Sequence, residues 1–188
     1  MIEVHDNLLE PHIAELISDY MKDLQWKFYY HSDKEIPSYH WHIFCGHNES
    51  EAKMNGFEMF LPIWQAAQYK LKLKENYDVS QWKRLYANAH TFGVEPNIHK
   101  DDGDFTMIYY PDMDWKIGWG GGTFVYKEDG VTVDRVAEYR GNRVLLFTAK
   151  LPHQAQTVAR LCPKLRTCIV FKLFTTEANE DRLDFYKD

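Results

Sequence analysis

Cysteine is scarce in this sequence. Cys45, Cys162 and Cys168 are the only three, and they are scattered. An odd, dispersed set makes neither a disulfide framework nor a CxxC zinc pair, and it points to a reducing compartment, the cytoplasm. No apolar run approaches the roughly 20 residues a membrane helix needs, so no membrane partner is expected. The start, MIEVHDNLLEPH, has no basic segment followed by an apolar one, so no secretory leader is expected either. Basic residues are in the minority: 22 Lys and Arg against 28 Asp and Glu give a net charge of −6. Without a basic run, tight nucleic-acid binding has little to build on. Internal repeats, low-complexity tracts and an interdomain linker are also missing. What is present is a soluble globular composition, 45% hydrophobic and 15% aromatic over 188 residues. That bulk excludes disorder, and the length suits one domain over residues 1–188.

The periodicity divides the chain near residue 80. Before it, Ile13, Leu16, Ile17, Tyr20, Met21 and Leu24 fall on one helical face, with Pro11 in the first turn where a helix tolerates it. A second helix is predicted from about Gly56 to Tyr77, striped by Phe57, Phe60, Leu61, Trp64, Ala67, Gln68 and Leu71. Pro62 moves its firm start toward Leu61. Residues 31–55 read as an extended polar loop. From Gln81 the period is two, giving strands at 83–90, 97–101, 104–110, 122–126, 131–138, 142–147, 153–158 and 165–174, with glycines at the breaks. The expected fold is mainly β with N-terminal helices: a helical part over about 1–80 buttressing a jelly roll or barrel over about 81–175. Residues 177–188 form a charged tail, a short helix or a loose end.

The chemistry concentrates at Asn97-Ile-His-Lys-Asp101. On an extended chain residues two apart share a face, so His99 and Asp101 converge while Asp102 points away. His153 follows after Pro152. Two imidazoles and one carboxylate on one side of a metal leave adjacent positions open, which suits non-haem Fe(II). Arg166 then heads an apolar strand, Arg166-Thr-Cys-Ile-Val-Phe-Lys-Leu-Phe174. A guanidinium there is costly unless it meets an anion, and its fork grips a carboxylate through two parallel bonds. A metal triad with a nearby arginine has an obvious ligand, a dicarboxylate.

Four segments, Asn97 to Asp101, Met107-Ile-Tyr-Tyr110, Gly120-Gly-Gly-Thr-Phe124, and Val144 to His153 leading to Arg166, stand in an order and spacing that resembles the Fe(II)/2-oxoglutarate-dependent oxygenases, in their prolyl 4-hydroxylase-like branch. The resemblance covers about residues 82–174. It implies a double-stranded β-helix (jelly-roll, cupin-like) core, with His99, Asp101 and His153 ligating iron and no catalytic residues beyond them. It further implies that Arg166 pairs with the distal carboxylate of 2-oxoglutarate, that Tyr110 supports that carboxylate, and that Tyr86 lines the co-substrate pocket. Collagen-type members use a lysine for the arginine, so the oxygen-sensing and bacterial pattern fits better. Asp101 stands where halogenating relatives have a small residue, which favours hydroxylation. Fe(II), 2-oxoglutarate and O2 are the implied cofactors, with ascorbate as a further expected ligand. The implied reaction hydroxylates an unactivated C–H bond, first of a prolyl residue in a peptide or protein, alternatively of a free amino acid or small metabolite. A non-catalytic jelly-roll binding protein is the rival from another class.

Other residues read more plainly. His40, His42 and His47 belong to the polar loop, and His5, His12, His31 and His90 have no evident partners. Asn48-Glu-Ser50 is a glycosylation match without a leader. Cys162 and Cys168 are ordinary core or strand residues. Pro111 to Gly122, with Trp115 and Trp119, is either a connection anchored by aromatics or a loop covering the substrate.

Overall fold

The computed structural model describes residues 1–31 and 38–176. Among the described residues ten strands are present: β1 (Ile2–His5), β2 (Lys27–Tyr30), β3 (His40–Gly46), β4 (Trp82–His90), β5 (Phe105–Tyr110), β6 (Thr123–Tyr126), β7 (Val133–Ala137), β8 (Arg143–Thr148), β9 (His153–Ala155) and β10 (Arg166–Leu173). Four α-helices accompany them: α1 (Pro11–Tyr20), α2 (Glu49–Met54), α3 (Leu61–Lys70) and α4 (Leu73–Tyr77). The strands form a seven-stranded sheet in the order β1-β8-β5-β10-β4-β3-β2 and a three-stranded sheet in the order β7-β6-β9. Every pairing is antiparallel. Of the two expected architectures, jelly roll or barrel, the two-sheet arrangement is the jelly roll, with helices on one side.

Strand alternation sorts the core into two layers. Leu85 and Ala87 of β4, Met107 and Tyr109 of β5, Val144 and Leu146 of β8, and Ile169, Phe171 and Leu173 of β10 face Ala14, Ile17, Ile63, Trp64 and Ala67 of the helices. The alternate residues, Ile108, Tyr110, Leu145, Phe147, Cys168 and Val170, face Val125, Ala137 and Tyr139 between the sheets. Strand β10 lies between β5 and β4 and is buried along all eight residues, which is why it reads as a nearly continuous apolar run.

Several expectations are corrected. The segment 31–55 is not a loop, because within its described part His40–Gly46 forms β3 and Glu49–Met54 forms α2. Its polar residues hid an alternation in which Trp41, Ile43 and Cys45 lie on the opposite face from His40 and His42. The helix expected over 56–77 is a short 3-10 turn at Glu58–Phe60, then α3, then α4. Leu71 and Leu73 are both buried, and residues two apart in a straight helix point about 200° apart. A left-handed Lys72 (φ +50°) lets both reach the core. The first helix stops at Tyr20 instead of continuing to Leu24. Residues 97–101 make no strand; His99 forms one isolated bridge to His153. The last short strand ends at Ala155, not 158. Strands β1 and β2 were not foreseen. The charged tail, 177–188, lies outside the described residues.

Candidate active site

The even-numbered face of the large sheet carries the polar residues of one cavity. His99 and Asp101 come from the connection between β4 and β5, and backbone bonds fix their direction. The His99 amide donates to the His153 carbonyl at 3.0 Å and the His153 amide donates back at 2.9 Å. The Asp101 amide donates to the Ala149 carbonyl at 2.9 Å. Both side chains therefore face the cavity although no strand forms, and Asp102 turns instead to accept from Arg84 at 2.6 Å.

His99 Nε2 lies 3.6 Å from Asp101 Oδ1, and His153 Nε2 lies 3.3 Å from Asp101 Oδ2. One ligating atom from each residue falls within 4.8 Å of the other two. The Nδ1 atoms of His99 and His153 face the carbonyls of Asn97 and Leu151, each at 3.0 Å. A carbonyl only accepts, so the proton sits on Nδ1 and each Nε2 lone pair is left for the shared centre. Burial, then His153, lowers the His99 pKa to about 4, so its imidazole is neutral. Burial pushes the Asp101 carboxyl up, but Lys172, His153 and His99 together hold it well below the usual carboxylate range. Two imidazoles presenting Nε2 and an ionised carboxylate converging on one point fit a divalent first-row metal with open positions.

Arg166 is 2% exposed. Its Nε donates to the Gly121 carbonyl at 2.7 Å, and one terminal nitrogen donates to the Gly122 carbonyl at 3.4 Å and to Thr123 Oγ1 at 3.3 Å. The other terminal nitrogen meets Cys168 Sγ at 3.3 Å. The guanidinium lies 5.7 Å from the Tyr110 ring centre and 5.9 Å from that of Tyr139. Among the described residues no carboxylate pairs with it, so neutral acceptors surround a buried cation whose charge stays unbalanced. Gly121 allows the close approach: its φ is +78°, and a Cβ there would sit 2.9 Å from Arg166 Cγ. The Tyr110 hydroxyl donates to Thr123 Oγ1 at 2.8 Å, beside the guanidinium. Tyr86 lines the same cavity as Arg166 and the three metal-type residues. Trp115 and Trp119 do not line it. Trp115 packs 4.4 Å from the Tyr139 ring and donates from Nε1 to the Gly120 carbonyl at 2.9 Å, and Trp119 meets it edge-on at 5.3 Å.

Three residues escaped the sequence reading. Lys172 is 1% exposed and forms an ion pair with Asp101 Oδ2, which also accepts from Thr106 Oγ1 at 2.7 Å. An even offset of six from Arg166 puts Lys172 on the same strand face, a signal that strand alternation alone could have supplied. His90 lies directly across from Arg166, and His40 is 5.0 Å from His90 between ring centres. They are 5% and 4% exposed, and among the described residues neither His90 Nδ1 nor His40 Nε2 has a hydrogen-bond partner. Burial first, then the Arg166 charge, lowers both imidazoles below their ordinary pKa, so they line the cavity as neutral groups.

No protein-family model matches the chain, and no curated protein matches it in sequence. Solved structures do. A prolyl hydroxylase of Trichoplax adhaerens, in complex with a hypoxia inducible factor oxygen degradation domain peptide fragment, is 15% identical; the match covers 96% of this chain and 86% of that one, with a TM-score of 0.63. A Pseudomonas putida prolyl-4-hydroxylase is 13% identical over 93% of this chain and 92% of its own, with a TM-score of 0.60. HygX from Streptomyces hygroscopicus, with nickel and 2-oxoglutarate bound, is 11% identical over 93% and 83%, with a TM-score of 0.63. The chain thus has the double-stranded β-helix fold of the 2-oxoglutarate/Fe(II) oxygenases, and it shares that fold with prolyl hydroxylases among others.

Proposed function

We propose that residues 1–188 form one catalytic domain, an Fe(II)- and 2-oxoglutarate-dependent oxygenase that hydroxylates an unactivated C–H bond. The observation that carries the reading is Arg166, a buried guanidinium without a carboxylate partner among the described residues, in the same cavity as His99, Asp101 and His153. A dicarboxylate would satisfy both ends, pairing with Arg166 and reaching the metal with its other carboxylate. His99, Asp101 and His153 would hold the iron. When bound, that ion supplies O2 chemistry coupled to decarboxylation of the co-substrate.

The remaining roles belong to this chain's own groups. The Asn97 and Leu151 carbonyls keep the Nδ1 protons in place, so both Nε2 lone pairs stay directed at the metal. Arg166 orients the dicarboxylate, with Thr123 Oγ1 beside its fork and the Tyr110 hydroxyl donating to that oxygen. The ring of Tyr86 walls the cavity and helps exclude water. HygX has been solved with nickel, 2-oxoglutarate and hygromycin B, which supports the cofactor pair and also a small-molecule substrate. The likeness to two prolyl hydroxylases supports a prolyl side chain in a peptide as the first substrate class to test.

The deciding experiment titrates the purified protein with Fe(II) and 2-oxoglutarate under anaerobic conditions. It then screens prolyl peptides, amino acids and small metabolites for substrate-stimulated succinate release, with ascorbate present. Saturable binding of both, and release stimulated by one substrate class, is the expected result. Binding of neither would leave the non-catalytic jelly roll as the better description.

A further inference from the structure

We propose that Lys172 sets the charge of the metal site: its ammonium balances Asp101 and shares that carboxylate with any divalent cation bound there. The inference rests on the reading of His99, Asp101 and His153 as metal ligands. Lys172 emerges from β10 between β4 and β5, with Thr106 and Arg84 as its cross-strand neighbours. Only 1% of it is exposed, so its ammonium has no route to water and depends on the groups around it. Those groups are the Asp101 carboxylate, the Thr106 hydroxyl at 3.4 Å and the ring of Tyr86, whose centre is 5.8 Å away. Asp101 Oδ2 thus takes Lys172 and Thr106 while also facing His153 Nε2 at 3.3 Å, and Oδ1 faces His99 Nε2 at 3.6 Å.

The consequence is electrostatic. A triad of two neutral imidazoles and one carboxylate offers a divalent ion a net charge of −1, whereas with Lys172 included the offer is zero. An ammonium paired to the same carboxylate repels the metal in a medium that screens poorly. Asp101, already paired, also gains less from the metal than an unpaired buried carboxylate would. The site therefore holds its ion less tightly than its three ligands alone would, and it exchanges the ion more readily.

The test measures binding of Mn(II), which needs neither O2 nor co-substrate, to the full chain by calorimetry. Three variants accompany the wild type. Lys172→Met removes the charge and the hydrogen bond, Lys172→Gln removes the charge but can still donate to Asp101, and Lys172→Arg keeps the charge. The expected result is Mn(II) affinity at least about tenfold higher in the Met and Gln variants, a difference of about 1.4 kcal/mol, with the Arg variant within about threefold of wild type. Should Lys172→Met fail to fold, the Gln variant carries the test. Affinity unchanged or reduced in the neutral variants, while the wild type binds Mn(II), would overturn the charge role and leave Lys172 a packing residue. A wild type that binds no Mn(II) would instead remove the metal reading itself.

Discussion

At the scale of single residues, the candidate site is a set of buried charges, each answered by a neighbour except one. Asp101 is answered by Lys172, while among the described residues Arg166 has only neutral acceptors and two aromatic faces. Losing one partner of a buried charge pair costs about 2–5 kcal/mol, or roughly 30-fold to several-thousand-fold in affinity. Arg166→Gln should therefore raise the 2-oxoglutarate KM by at least about tenfold while Mn(II) binding stays normal, and steady-state kinetics with parallel calorimetry would show it. Arg160→Gln, altering an exposed turn residue, should change neither. The reverse pattern would mean that the co-substrate approaches from another side. His99→Ala or His153→Ala should abolish metal-dependent 2-oxoglutarate turnover and leave far-UV circular dichroism unchanged, since neither ring anchors a secondary-structure element. His99, Asp101 and Arg166 were legible because their local spacing carries the information. His40 and His90 were not: strand alternation gives a residue's face, but not which strands lie beside it.

At the scale of elements, two features follow from local backbone demands. Lys72 sits in the left-handed region between α3 and α4, where a β-carbon crowds the following carbonyl. Lys72→Gly removes that crowding, at an entropic cost in the unfolded chain, and should leave a net gain of about 0.5 kcal/mol. Chemical denaturation would detect it as a higher midpoint at constant slope. The connection between β5 and β6 is held by Trp115, which packs on Tyr139 and Trp119 and bonds the Gly120 carbonyl. Trp115→Ala should cost about 3 kcal/mol by leaving a cavity, and it should weaken 2-oxoglutarate binding indirectly, because Gly121 beside it accepts from Arg166. Trp119→Ala, further from that contact, should be milder in both assays.

At the scale of the whole molecule, buried neutral histidines couple stability to pH. His42 is lowered to about 4 by burial, with Asn88 opposing, and His40 and His90 are lowered by burial and the Arg166 charge. A base whose folded pKa lies below its unfolded value of about 6.5 leaves the unfolded chain binding more protons below that pH. The stability these groups contribute is thus present above about pH 6.5 and is lost as pH falls toward 4. Thermal melts across this window should show a falling Tm, and the slope should flatten in a His42→Gln, His90→Gln double variant. An unchanged slope would place the acid sensitivity in the groups left intact, His40, His99 and the carboxylates.

The period-two runs from Gln81, the apolar stripe of α1 and the ordered motifs from Asn97 to Arg166 pointed by themselves to the β class, to helices in the N-terminal part and to the principal candidate residues. Periodicity and short spacings are local properties, and they survive without knowledge of the neighbours. Only the tertiary structure decided that His40–Gly46 is a strand, that 97–101 is not, and that Lys172 of β10 meets Asp101 of the β4–β5 connection. Each of these depends on which segments lie side by side. A single bridge between His99 and His153 cannot propagate a ladder, whereas β3 gains a full one from β4. The burial that leaves Arg166 without a carboxylate beside it among the described residues, and that keeps His40 and His90 neutral, exists only once both sheets and the helices have closed around them.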